Sequence, residues 1–283
     1  MAIPVKLGAT TCLTDQSIGP CELARALEER GFNSLYIPEH THVPTSRRTP
    51  PPTGGHTAMP EYYRRCLDPI VALSAAAAVT SRLTLGTGVC LVTQRDPIVT
   101  AKAVATLDLL SHGRFVFGVG FGWNREEIED HGIDFRRRRE RGREHVLAMQ
   151  QLWANEKASF DGEFVRFEES WAWPKPVQQP RPPVLIGGCG GPKLFAHIAE
   201  YADGWMSMGL ANLRTMLPEL QWAMEKAGRD PAALRVDVPW NPASHAGKLE
   251  GEELRGVSEV LVGLPSAPAD TVLPLLDRYA KLL

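Results

Sequence analysis

The sequence predicts an α/β chain folded as a (β/α)8 TIM barrel, and three observations carry that prediction. Short β-branched or aliphatic runs alternate with longer amphipathic stretches along the chain. There are eight such pairs, whereas a doubly wound sheet more often stops at five or six strands. The length, 283 residues, is close to the roughly 250 typical of this barrel.

The elements follow in order. A strand at 5–8 leads to a helix at about 17–30, where Gly31 after Glu28-Glu29-Arg30 supplies a glycine stop. A strand at 34–37 is followed by a long loop over 38–66. Its prolines at 44, 50–52 and 60 and its Gly54-Gly55 pair exclude regular structure. A loop of that length is more often a lid or binding loop than filler. Asp68-Pro69 and Asp96-Pro97 then open helices at about 67–80 and 97–111, each an N-cap residue before a first-turn proline. Between them lies a strand at 83–88, and after them one at 115–120. A helix at about 137–154 precedes a small insertion at 159–173, where Asp161-Gly162 between apolar residues signals a hairpin. Five prolines make 174–183 an extended connector. Strands at 184–187, 204–206, 235–239 and 257–262 complete the set, with helices at about 192–202, 211–227, 248–255 and 268–282. The whole chain, 1–283, reads as one domain.

Composition narrows the function. The net charge of −2 argues against nucleic acid or an anionic membrane as a partner. Cys12, Cys21, Cys66, Cys90 and Cys189 are scattered without CxxC spacing, so they read as reduced thiols in a cytoplasmic protein. No segment has the pattern of a signal peptide, and the apolar run at 70–79 is too short for a bilayer span.

Three places can carry chemistry. Glu39-His40-Thr41-His42 lies just past the second strand, where a barrel places acid–base groups. His40 is the candidate proton carrier and Glu39 its orienting partner; a metal site built on Glu39, His40 and His42 is the alternative. Gly118-Val119-Gly120-Phe121-Gly122-Trp123-Asn124 follows the fourth strand, and its glycines let backbone approach a flat ring or a phosphate. As a dinucleotide fingerprint it lacks the final glycine. Gly187-Gly188-Cys189-Gly190-Gly191 joins the fifth strand to a helix opening at Pro192. Free N–H groups at a helix N-terminus make a phosphate cradle, although a tight turn would explain one or two of the glycines. The arginines at 136–139, 141 and 143 are a solvated helix face or a contact for an anionic tail.

Three stretches together resemble the luciferase-like monooxygenase superfamily, and within it the actinobacterial oxidoreductases that use the deazaflavin coenzyme F420. They are SLYIPEHTHVP at 34–44, the run from LTLGTGVC to GVGFGWNREE at 83–127, and PVLIGGCGGPKLFAHIAEYADGWM at 183–206. The resemblance implies a cofactor, F420 or alternatively FMN, at the C-terminal mouth of the barrel. It implies a bulge at Gly86, Thr87, Gly88 and Val89, often with a non-prolyl cis peptide, behind the ring. Gly120, Gly122, Trp123 and Asn124 are the further cofactor residues it implies, with phosphate on 187–191 and a reactive-edge histidine at His40. There is one departure: the related sugar and alcohol dehydrogenases carry a glutamate just after strand four, where this sequence has Phe121 or its neighbours. The expected activity is hydride transfer between a deazaflavin and a small organic substrate, in a homodimer. An FMN monooxygenase and a non-catalytic cofactor-binding barrel are the rivals.

Overall fold

The computed structural model describes residues 5–46, 48–50, 59–211, 213–242 and 254–283. Eight parallel strands close into a barrel: β1 (Lys6–Thr10), β2 (Ser34–Ile37), β3 (Thr84–Thr87), β5 (Phe115–Gly120), β8 (Val184–Gly188), β9 (Gly204–Ser207), β10 (Arg235–Trp240) and β11 (Glu259–Gly263). Pairing of β1 with β11 and of Leu85 with Phe115 completes the ring. A short strand β4 (Cys90–Leu91) follows β3 and runs beside the end of β5. The insertion is an antiparallel hairpin of β6 (Lys157–Asp161) and β7 (Arg166–Trp171), as the Asp-Gly pair predicts.

The helices are α1 (Pro20–Glu29), α2 (Pro69–Ala77), α3 (Pro97–Leu110), α4 (Arg125–Asp130), α5 (Arg138–Ala154), α6 (Pro192–Tyr201), α7 (Leu213–Lys226) and α8 (Ala269–Tyr279). The carboxylates of Asp68 and Asp96 accept backbone N–H groups in the first turns of α2 and α3, as N-caps should. The helix expected at 248–255 lies largely outside the described residues, as do residue 47 and residues 51–58 of the loop after β2. Among the described residues no helix is long and apolar enough to cross a membrane.

Two expectations change. Helix α4 is not among the elements read from the sequence. Its six residues, five of them charged, offer no apolar stripe for periodicity to detect. The thiols are not all free either: Cys12, just past β1, and Cys66, at the end of the long loop, form a disulfide with Cα atoms 5.9 Å apart. They stand 54 residues apart, so only the fold brings them together.

Inside the barrel, Tyr36, Val116, Leu185, Met206 and Leu261 form the central cluster, while the larger core lies between strands and helices. The most family-specific stretch of the sequence serves this scaffold. Buried Asp108 accepts from the backbone and side-chain amide of Gln178 at 3.0 and 2.6 Å. The Arg114 guanidinium donates to the carbonyls of Leu83, Ala77 and Thr80. Together they fasten the base of β5 to its neighbours.

Candidate active site

The end of β2, the loop after it and α4 meet at the C-terminal mouth of the barrel. His40 follows β2 by three residues, and its side chain is only 7% exposed. Its Nδ1 lies 2.7 Å from the Glu127 carboxylate of α4, and Glu127 is itself buried. A carboxylate only accepts, so Nδ1 carries a hydrogen and Nε2 is the nitrogen left to exchange a proton. Nε2 has no partner among the described residues. The rings of Tyr63 and Trp123 stand edge-on to the imidazole, with centroids 4.9 and 5.8 Å away. Aromatic walls of this kind hold a histidine in place while keeping water off it.

Glu39 does not orient His40, which corrects the sequence expectation. Its buried carboxylate accepts the Leu91 N–H at 2.6 Å and the Arg95 Nε–H at 2.7 Å. It ties the end of β2 to β4 across the bulge, and Arg95 continues to Asp68. Adjacent residues on an extended backbone point opposite ways, so Glu39 faces the scaffold when His40 faces the mouth. The orienting residue that sequence reasoning missed is Glu127. A readable signal existed: Asn124, an N-cap type, followed by Glu126 and Glu127 in a first turn.

Helix α4 also clamps the loop above. The Glu126 carboxylate accepts the Arg48 N–H at 2.7 Å and the Thr49 hydroxyl at 2.6 Å. Burial opposes its ionisation, but these donors win and hold its pKa down to about 2. Asp130 meets His42 at 3.1 Å. His42 therefore belongs to the loop's anchorage rather than to a metal set. Among the described residues no group of three or more His, Cys, Asp or Glu is placed to hold a metal ion.

The expected cofactor residues divide by position. The Gly88–Val89 peptide bond is cis, at the place the family resemblance indicates. Gly88 and Val89 are half-buried, whereas Gly86 and Thr87 lie fully inside the barrel wall, with the Thr87 hydroxyl on the Gly118 carbonyl at 2.7 Å. Gly86 and Thr87 thus support the bulge from below. Val89 is flanked by Gly120 and Gly187. A Cβ on Gly187 would lie 2.7 Å from Val89 Cγ1, and one on Gly120 would strike Cγ2. The bulge and the glycine loop therefore touch only because both glycines lack side chains. Gly190 and Gly191 have φ of +83° and +108°. They turn the chain into α6 and leave open space beside Gly191, a shape suited to an anion at a helix start. Cys189 at the crest is exposed. Gly122 and Trp123 are half-buried. Asn124 is 1% exposed, yet neither its amide oxygen nor its nitrogen has a partner. A buried amide without partners is costly, and a ligand in the mouth would relieve it.

The arginine run splits into two sets. Arg136, Arg137 and Arg143 pair outward with Asp134, Glu163 and Glu200. Arg138 donates to the Gly122 carbonyl at 3.2 Å and Arg139 lies over the Phe121 ring.

The luciferase-like monooxygenase family profile matches residues 20–252. The chain belongs to the luciferase-like monooxygenase family. An uncharacterised protein of Mycobacterium tuberculosis is 46% identical over 280 residues, covering 98% of each chain. The F420-dependent glucose-6-phosphate dehydrogenase of Kineococcus radiotolerans is 31% identical over 239 residues, 80% of this chain and 64% of that one. Among solved structures, an F420-dependent secondary alcohol dehydrogenase in complex with an F420–acetone adduct superposes with a TM-score of 0.76. Its identity is 18%, with 99% of this chain and 98% of that chain covered. At that identity the likeness speaks for the fold. Luciferase-like relatives thus include F420-dependent dehydrogenases as well as monooxygenases.

Proposed function

We propose that this chain is an F420-dependent oxidoreductase that moves a hydride between the deazaflavin and a small organic substrate. The observation that carries this reading is the His40–Glu127 pair at the barrel mouth. Oxidising an alcohol releases a proton as the hydride leaves, and reducing a carbonyl consumes one. A histidine fixed in one tautomer, with Nε2 free, is suited to take or give that proton. The coenzyme supplies the ring carbon that accepts or donates the hydride. The likeness to a named F420-dependent dehydrogenase over 80% of the chain favours the deazaflavin over FMN.

The residues present fit such a group. Val89 and Gly88 would back the ring, the 187–191 loop would take the phosphate through its N–H groups, and Asn124 would gain the partner it lacks. Glu127 holds the His40 ring, Tyr63 and Trp123 exclude water, and Glu126 keeps the loop over the site. Where related dehydrogenases carry a glutamate this chain has Phe121 or its neighbours, so the proton is assigned to His40. The test is substrate-dependent loss of the oxidised coenzyme's absorbance with a panel of alcohols, and its return when reduced coenzyme meets a panel of aldehydes. Wild type is expected to turn over at least one, and His40→Ala to lose about 10²- to 10⁴-fold in rate while still binding coenzyme. Oxygen consumption with reduced FMN, and no reaction with F420, would instead make it a monooxygenase.

We also propose a homodimer formed through α2 and α3. Helix α2 has no charged residue, and Val71 and Val99 are 70% and 68% exposed on these adjacent helices. Apolar outer faces of this kind mark association surfaces. Light scattering is expected to give twice the chain mass, and Val99→Glu half of that dimer mass. A monomeric wild type would contradict it.

A further inference from the structure

A groove on the outer wall of the barrel lies apart from the mouth. It runs between α6 and α7 with a volume of about 1070 Å³, at the upper limit of ordinary small-molecule sites. Both helices start from the mouth side, so the groove descends from Pro192 and Pro218 toward Glu200 and Lys226. Along either helix that descent is about 12 Å. Small side chains make the groove deep. Ala196 and Ala199 of α6 and Ala223 of α7 line it, and their methyl groups fill little of the space between two packed helices. Phe195, 1% exposed, lies at its base, and the Trp222 indole stands as a wall with 60% of its surface exposed. Among the described residues the charged side chains along it are Glu200, Glu219, Lys226 and Arg229.

Width and chemistry select the occupant. A peptide strand would bring N–H and C=O groups that an alanine floor cannot answer. A helix satisfies its own backbone, but with side chains it is about 10–12 Å across, too wide to reach a floor between neighbouring helices. An extended alkyl chain is narrow and has no polar group to satisfy, and about ten carbons cover the length of the groove. The charges set its direction. Glu219 stands two helical turns from Lys226 toward the mouth, so the upper part is acidic. At the lower end Glu200 is already paired with Arg143. Arg229 is fixed there by the carbonyls of Ile198, Ala199 and Ala202 at 3.0, 3.3 and 2.6 Å. The Lys226 ammonium lies 4.6 Å from the Trp222 ring centre and meets no carboxylate among the described residues. An anionic head therefore belongs at the lower end, against Lys226.

We infer that the groove between α6 and α7 binds a free fatty acid, with the alkyl chain on the alanine floor against Trp222 and the carboxylate on Lys226. The inference stands apart from the coenzyme reading, because none of these side chains belongs to the mouth.

The experiment is calorimetric titration of the full chain with decanoate, hexanoate and decyltrimethylammonium, each kept below its micelle concentration. Tryptophan quenching by a decanoate brominated at mid-chain runs beside it. Each buried CH2 is worth about fourfold in affinity. Decanoate is therefore expected to bind saturably, and at least about tenfold more tightly than hexanoate or the ammonium. The brominated chain is expected to quench wild type more than Trp222→Phe. Ala196→Phe, which fills the groove, should abolish decanoate binding, and Lys226→Glu should remove the preference for the carboxylate head. Ala196 and Lys226 are both exposed, so the variants are expected to keep the wild-type unfolding temperature. Uptake without saturation would overturn the site, as would equal affinity for the two decyl compounds. Saturable binding that Ala196→Phe and Lys226→Glu both leave unchanged would place the chain elsewhere and overturn it as well.

Discussion

Toward the N-terminal end of the barrel a buried ion network is satisfied from all sides, whereas toward the C-terminal end several buried polar atoms of the described residues lack partners. Below, Arg235 reaches Asp237 at 2.9 Å, Glu259 at 2.6 Å and the Tyr36 hydroxyl at 2.8 Å. Ser34 and Asn33 complete the Glu259 carboxylate at 2.5 and 2.9 Å, and Tyr36 donates to Asp237 at 3.0 Å. Burial, reinforced by the nearby Asp237 charge, raises the Glu259 pKa. Above, Thr11 just past β1, Thr93, Gln94 and Asn124 are left with unpaired atoms. The two ends share strands and burial but differ in what each can be for. A satisfied network fixes the fold, and an unsatisfied one is poised for something absent from the chain.

Mutations should separate the ends. The largest effect is expected below: Arg235→Met leaves two buried carboxylates without their cation and should cost about 3–5 kcal/mol in urea unfolding. Asn124→Leu above should cost less than about 1 kcal/mol, because it removes atoms that already lack partners. Equal losses at the two ends would break the comparison.

Next comes Glu127→Gln, which keeps the shape but removes the charge that fixes the His40 tautomer. Turnover is expected to fall roughly tenfold or more, with a shifted pH profile that Glu127→Asp partly restores. An unchanged profile would make Glu127 merely structural.

A smaller effect concerns acid. Burial opposes ionisation of Glu28, yet the N–H groups of Arg82, Leu83 and Ser81 hold its pKa at about 2 against an ordinary 4.5. Glu126 behaves alike through the loop. Folded pKa values below the unfolded ones mean that this stability is complete above pH 4.5 and is lost as pH falls toward 2. Urea midpoints from pH 6 to 3 should fall less in Glu28→Gln and Glu126→Gln than in wild type. The smallest effect is Arg136→Gln, an exposed pair with Asp134, expected to leave the urea midpoint where it is in wild type.

Much of the barrel was legible because its signals are local. Aliphatic runs mark the strands, Asp-Pro pairs mark α2 and α3, and Asp161-Gly162 marks the hairpin. The glycine loop was legible for the same reason. What stayed hidden depends on partners distant in the chain. Nothing near Glu39 says that it will face Arg95, and His40 meets a carboxylate 87 residues away. The arginine run is uniform as text, but the fold divides it between outward ion pairs and the mouth. Cys12 and Cys66 carry no motif, and the orphaned atoms of Thr93, Gln94 and Asn124 exist only once three turns converge.

The most direct test of the central claim is titration of the purified protein with F420 and, separately, with FMN, following coenzyme fluorescence. Saturable binding of F420 at micromolar concentration or tighter, with much weaker binding of FMN, is the predicted result. Binding of neither would contradict the assignment of the barrel mouth as a coenzyme site.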